Sequence, residues 1–162
     1  MISLIVAVSD DMGIGKNNDL LWHIPEDMKR FKKLTLGNTV VMGKKTWESL
    51  PKKPLTGRKN IVITDQPGEC FDGAVTAYSI EDAVNKCESG EEVFVIGGGS
   101  IYRQFMPIAD RLYITHVRKT KASDVFFPEI DPKIWVPVET EEHREEINDV
   151  PPYTYVVYER KP

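Results

Sequence analysis

The chain opens on ISLIVAV (residues 2–8), a nearly continuous apolar run that constrains the fold more than any other segment. A strand apolar on both faces must be covered on both faces, which is the condition of a central strand. Similar short runs recur at TVVMG (39–43), NIVIT (60–64), EVFVI (92–96) and RLYITHV (111–117). Helical patterns lie between several of them. Strands alternating with helices predict an α/β domain with a mostly parallel sheet and helices on both faces. The last run, YTYVVYE, is expected to pair with an earlier strand as an antiparallel C-terminal edge. A length of 162 residues suits one domain, 1–162.

Pro25 predicts a helix start, with Glu26 and Asp27 favourably placed in the first turn and Gly37-Asn38 as the stop. KKTWESL reads as a short helix ended by Pro51. Ser79 and Asp82 have the form of a capping box, followed by the apolar stripe Ile80, Ala83, Val84 and Cys87. Residues 9–24 read as a long loop, and a loop of that length in a compact domain is usually functional.

No apolar run is long enough to span a bilayer as a helix. The N-terminus lacks a basic leader region and turns acidic after eight residues, so it reads as a strand and not as a signal peptide. Cys70 and Cys87 form no CxxC pair, and no His/Cys cluster has zinc-ligand spacing. Free thiols, a reducing cytoplasm and no metal are expected. Residues 28–64 hold ten bases and one acid, while the whole chain carries a net charge of −4. That asymmetry suits either an anionic ligand or solvated helix faces. The acidic remainder and the lack of a recognised motif argue against nucleic acid.

On the 25–36 helix, about 100° per residue places Asp27 within the stripe formed by Met28, Phe31 and Leu34. A carboxylate there is costly unless it is hydrogen-bonded. Either it simply favours the helix N-terminus, or it accepts paired N–H donors from a planar, amidine-like edge. Burial would raise its pKa. Trp22 lies just upstream, with an indole N–H able to hold a water.

VIGGGSIY is a strand, a triple-glycine turn and a helix start. Such turns let backbone amides approach a phosphate, although the full dinucleotide fingerprint is absent. VVMGKKTW repeats the geometry, with two lysines where the helix dipole opposes them. Each turn is equally open to a plain reading: a tight connection in one case, solvated lysines in the other.

Taken together, these segments resemble the dihydrofolate reductase family. MISLIVAVSDDMGIGKNNDLLWHIPEDMKRFK, VVMGKKTWESL, GRKNIVIT, VFVIGGGSIYRQF, RLYITHV and DVFFP stand in family order and spacing over nearly the whole chain. The resemblance implies a three-layer sandwich: about eight strands in a mostly parallel mixed sheet, flanked by about four helices. It also implies NADPH-dependent reduction of 7,8-dihydrofolate. Asp27 matches the carboxylate that binds pterin N3 and the 2-amino group, supported by Thr115. Ile5, Met28, Phe31, Leu50 and Leu55 match the apolar slot. Arg58 matches the guanidinium that grips the substrate α-carboxylate, with Lys32 and Lys53 near the glutamate tail.

On the cofactor side, Ala7 and Ile14 match backbone contacts to the carboxamide of the nicotinamide. Ile96, Gly97, Gly98, Gly99, Ser100, Ile101, Tyr102 and Gln104 match the pyrophosphate turn and the adjoining wall. Gly43, Lys44, Lys45, Thr46, Thr64, Asp65 and Tyr78 match the surroundings of the pyrophosphate and the 2′-phosphate. Residues 9–24 match the mobile lid, with Gly13, Ile14, Gly15, Lys16, Asn17, Asn18 and Asp19 towards the cofactor; Gly13 and Gly15 are read as giving it freedom.

Several positions depart from the family pattern. Leu21 stands where proline is usual. The turn after Leu50 is longer, and Thr56 precedes Gly57. Ser100 stands where a base often helps hold cofactor phosphate. The expected mechanism sets NADPH C4 against pterin C6, with a water near Trp22 and Leu20 protonating N5. None of His23, His116 and His143 is expected to be catalytic. Diaminopyrimidine antifolates are expected to bind. A monomer without an obligate protein partner is the default. The competing readings are a related NADPH reductase of a pyrimidine or riboflavin precursor and a non-catalytic nucleotide-binding module.

Overall fold

The computed structural model describes residues 1–17 and 19–162. In chain order the elements are β1 (Ile2–Val8), β2 (Gly13–Lys16), β3 (Asp19–Leu20), α1 (Pro25–Thr35), β4 (Thr39–Gly43), α2 (Lys44–Ser49), β5 (Lys59–Ile63) and β6 (Val75–Ala77). There follow α3 (Ile80–Asn85), β7 (Val93–Val95), α4 (Gly99–Phe105), a 3₁₀ turn (Met106–Ile108), β8 (Arg111–Val117), β9 (Val125–Phe126), β10 (Trp135–His143) and β11 (Tyr153–Arg160).

The main sheet has the order β10-β11-β8-β1-β7-β4-β5-β6. Pairings from β8 through β1 to β6 are parallel, whereas β11 runs antiparallel to both β8 and β10. The expected mixed sheet is therefore present, but β10 occupies the antiparallel edge and β11 lies one strand inside it. The sequence reading missed β10. WVPVETEEH carries Pro137 and a row of carboxylates on exposed positions, as edge strands do to resist further pairing.

Successive residues of the central strands enter opposite cores. Leu4, Val8, Val41, Ile61, Val95, Leu112 and Ile114 join Phe105 on one face. Ile5, Val40, Met42, Val62, Phe94 and Tyr113 join Trp47, Phe31 and Leu34 on the other. The apolar runs are continuous because both faces are dry, and the helices supply the two lids.

Local signals act as the sequence suggests. Pro25 opens α1, Glu26 and Asp27 sit in its first turn, and Lys32 and Lys33 in its last. Gly37 then takes φ +80°, a conformation that ends the helix and suits glycine. The cap of α3 is reciprocal: Asp82 N donates to Ser79 Oγ at 2.9 Å, and Tyr78 N donates to Asp82 Oδ2 at 2.9 Å. Both cysteines are free, Cys70 exposed and Cys87 half-buried against the core. Among the described residues, no helix is long and apolar enough to cross a membrane.

Residues 9–17 and 19–24 hold more regular structure than a loop. β2 pairs with β3 and β9 in a small second sheet. Short two- to four-residue strands with central glycines carry too little periodicity to be recognised in advance. Gly13 and Gly15 do not take positive φ; Met12 and Asn17 do, at 68° and 51°. The glycines are there for space. A Cβ on Gly13 would lie 2.8 Å from Ser123 Cβ, and one on Gly15 would lie 3.0 Å from Asp19 O. Gly13→Ala is expected to cost about 1–3 kcal/mol by overpacking, a fall of about 2–12 °C in Tm by calorimetry. An unchanged Tm contradicts that packing role.

Candidate active site

The functional side chains converge on one rim of the sheet, at the carboxyl ends of the parallel strands. Lys44, Thr64, Tyr78 and Gly98 all lie just past the ends of β4, β5, β6 and β7, and they line a cleft of about 1040 Å³. Gly43, Lys45, Thr46, Asp65, Gly99, Ser100, Ile101 and Gln104 complete its expected walls. A smaller cavity of about 160 Å³ lies beside β2 and β3, lined by Ile14, Gly15, Lys16, Asp19, Leu20, Ile96, Gly97 and Tyr102. Lys45, Thr46, Gly98 and Gly99 face both spaces. The shape suits an elongated dinucleotide lying across strand ends.

The two glycine turns touch. Gly43 N donates to Gly97 O at 2.9 Å, and a Cβ on Gly43 would sit 3.0 Å from Ile101. Gly97 has φ +134°, and Gly97-Gly98 is a cis peptide. A Cβ on Gly97 would also lie 3.1 Å from Thr46 Oγ1. Tyr102 is buried, and its hydroxyl donates to Ile5 O at 2.7 Å, with burial pushing its pKa strongly up. It fixes β1 against α4. Ala7, Gly13 and Asn17 line neither space: Ala7 is paired to Thr115 in the sheet, and Asn17 N donates to Asp124 Oδ2 at 3.0 Å. Asn18 lies outside the described residues.

Asp27 is on the first turn of α1, facing β8. Thr115, itself buried, donates its hydroxyl to Asp27 Oδ1 at 2.7 Å. Burial raises the Asp27 pKa; the Thr115 hydroxyl and the Arg30 guanidinium act against this by favouring the carboxylate. Arg30 is in turn held 4.1 Å over the Tyr155 ring. Thr115→Val removes the hydrogen bond to the charged form. It is therefore expected to move Asp27 titration to still higher pH, read by carbon NMR of the carboxyl, and to lower kcat/KM about tenfold or more. Unmoved titration contradicts the role given to Thr115.

Ile5, Phe31, Leu50 and Leu55 pack in one cluster, as a slot requires. Met28 is 47% exposed, so the wheel overstates its burial: it sits beyond the edge of the covered stripe. Lys32 and Lys53 are both exposed, and Lys53 Nζ donates to Glu48 O at 3.2 Å. Arg58 is tied down: Nε donates to Thr56 O at 3.0 Å and Nη1 to Thr35 Oγ1 at 3.2 Å. Trp22 is half-buried, and its Nε1 has no acceptor among the described residues. Lys121 Nζ lies 5.1 Å over its ring and donates to Leu21 O at 2.9 Å. Leu21 is buried, which anchors the chain between β3 and α1. Leu20 is exposed.

Three residues escaped the sequence reading. Arg30 is on α1 one turn after Asp27, a spacing that was visible. Arg103 is one turn into α4, with Nη1 3.5 Å from a Cβ built on Gly99, and lines the large cleft close to Ser100. Glu69 forms an ion pair with Lys44 at 2.5 Å and accepts from the Thr64 hydroxyl. Glu69 lies in an irregular loop, where periodicity predicts no contacts.

A cleft across parallel strand ends, together with a half-buried carboxylate held by a threonine hydroxyl, defines a dinucleotide-dependent α/β enzyme. Residues 1–160 match the family described as Dihydrofolate reductase. The chain is 48% identical over 157 residues to the dihydrofolate reductase of Neisseria gonorrhoeae, covering 97% of this chain and 96% of that one. It is 42% identical over 161 residues to that of Bacillus subtilis, covering 99% and 95%. A solved dihydrofolate reductase from Enterococcus faecalis, complexed with NADP(H) and RAB-propyl, superposes with a TM-score of 0.91 at 33% identity, over 100% of this chain and 97% of that one. The chain belongs to the dihydrofolate reductase family, and its reaction is the NADPH-dependent reduction of dihydrofolate.

Proposed function

We propose that this chain, as one domain over residues 1–162, binds the pterin of 7,8-dihydrofolate at Asp27 and NADPH in the adjoining cleft. The observation that carries this reading is the 2.7 Å Thr115–Asp27 bond: it orients a half-buried carboxylate whose remaining lone pairs point to an acceptor role. Pterin N3–H and its 2-amino group present two donors side by side, which a carboxylate matches. Ile5, Phe31, Leu50 and Leu55 form the slot, with Met28 at its open edge. Arg58, with Lys32 and Lys53 nearby, takes the acidic tail.

Bound NADPH supplies the hydride that pterin C6 receives. Ile14, Ile96 and Tyr102 bound the smaller cavity and exclude water from the transfer region. Lys44, Lys45, Thr46 and Arg103 face the phosphates. Asp27 binds the far side of the pterin from N5, so it does not donate directly. Its negative charge raises the basicity of the ring, and a water held at Trp22 Nε1 under Leu20 carries the proton. Each histidine is engaged elsewhere: His23 beside Asp19, His116 on Tyr158, and His143 stacked on Tyr153. None is given a catalytic role. A cytoplasmic monomer that binds diaminopyrimidines through Asp27 fits the same reading.

Loss of NADPH absorbance on adding 7,8-dihydrofolate to the purified chain tests the assignment. Turnover is expected with dihydrofolate and not with riboflavin precursors. The reverse preference, or cofactor binding without turnover, contradicts it.

A further inference from the structure

The polar wall of the large cleft has an unusual charge balance for a site that takes a phosphorylated ribose. Lys44 Nζ is 2.5 Å from Glu69 Oε2, and the other Glu69 oxygen accepts from the Thr64 hydroxyl. Asp65 and Glu81 line the same cleft, as do the uncharged Tyr78 and Ser79. Lys44 thus feels three carboxylates, Glu69 in contact and Glu48 and Asp65 nearby. The pair holds Lys44 protonated and Glu69 ionised, its pKa raised and lowered respectively by the contact. A 2′-phosphate, with a charge of about −1.5 to −2 at neutral pH, meets a lysine already neutralised. A plain 2′-hydroxyl meets carboxylates able to accept its hydrogen bond, the arrangement that favours the unphosphorylated cofactor.

We propose that Glu69 sets how strongly this enzyme prefers NADPH over NADH, by holding Lys44 in an ion pair that the 2′-phosphate must displace. The proposal deepens the cofactor assignment and rests on the reading that places the 2′-phosphate at Lys44. NADPH remains a substrate. Its advantage over NADH is reduced, because breaking the pair and approaching Asp65 oppose the attraction to Lys44. Arg103 and Lys45 lie towards the glycine turns and grip both cofactors alike.

The test uses calorimetric titration of the full chain with adenosine 2′,5′-bisphosphate and with 5′-AMP, alongside NADPH and NADH kinetics. In the wild type the bisphosphate is expected to bind less than about tenfold more tightly than 5′-AMP. Glu69→Gln keeps the shape and the Thr64 contact but removes the charge. It should tighten the bisphosphate about five- to tenfold, leave 5′-AMP within about twofold, and raise the NADPH-to-NADH ratio of kcat/KM by a similar factor. Glu69→Ala, accepted only with a native-like Tm, gives the same comparison if Gln disturbs the loop. An unchanged bisphosphate preference in both variants, with Lys44→Met still weakening the bisphosphate, overturns the role of Glu69 and leaves the site assignment standing. If Lys44→Met leaves bisphosphate affinity unchanged, the phosphate site is misassigned and the proposal falls with it.

Discussion

Asp27→Asn should reduce kcat/KM for dihydrofolate at neutral pH by roughly 10²–10³-fold, because one partner of a buried, hydrogen-bonded charge contact typically accounts for about 2–5 kcal/mol. Part of the activity should return as pH falls, since solution protons then supply what the carboxylate's charge otherwise draws to the ring. The same substitution should stabilise the fold. Burial raises the Asp27 pKa above its unfolded value, so the ionised carboxylate costs stability that is absent at low pH. That cost appears as pH rises through the unfolded value and is complete above the folded one. The variant should therefore melt at a higher temperature than the wild type at pH 7, by about 2–4 °C for each kcal/mol relieved, with the gap closing in acid. Lower stability at pH 7 with unchanged kinetics contradicts the account of this residue.

Arg58→Leu should raise KM for dihydrofolate about 10²-fold and leave kcat within a few-fold. Two of its donor nitrogens are already committed to Thr56 O and Thr35 Oγ1, which fixes the plane of the fork without using all of its donors. A planar guanidinium held that way meets a carboxylate with little further ordering, whereas Arg58→Lys offers a single flexible point charge and should restore little. A pteridine lacking the glutamate tail should be reduced equally well by wild type and variant. If the tail-less compound loses as much as the full substrate, Arg58 supports the fold and does not grip the tail.

How much of this was readable in advance follows from which physics each feature obeys. The strands at residues 2–8, 39–43 and 111–117 appear where the apolar runs place them, because burial on both faces writes a local pattern. The Ser79–Asp82 cap was visible for the same reason: its partners are three residues apart. Asp27 stood out as a charge inside an apolar stripe, but its partner Thr115 lies 88 residues away and came only from the family resemblance. The Lys44–Glu69 pair and the crowding of Gly13 by Ser123 depend on how loops fold over strand ends, and no periodicity records that. Met28 shows the limit of a helical wheel. The wheel gives an angle, while exposure depends on how far the opposing sheet extends.

The central claim is that this chain passes a hydride from NADPH to C6 of a pterin bound at Asp27. Incubating the enzyme with NADPH deuterated at the transferred C4 position and 7,8-dihydrofolate, then locating the label by NMR, tests it most directly. The account predicts one deuterium at C6 of the tetrahydrofolate formed by the wild type and little labelled product from Asp27→Asn at neutral pH. Label at another ring position, or full labelling by the variant, would contradict it.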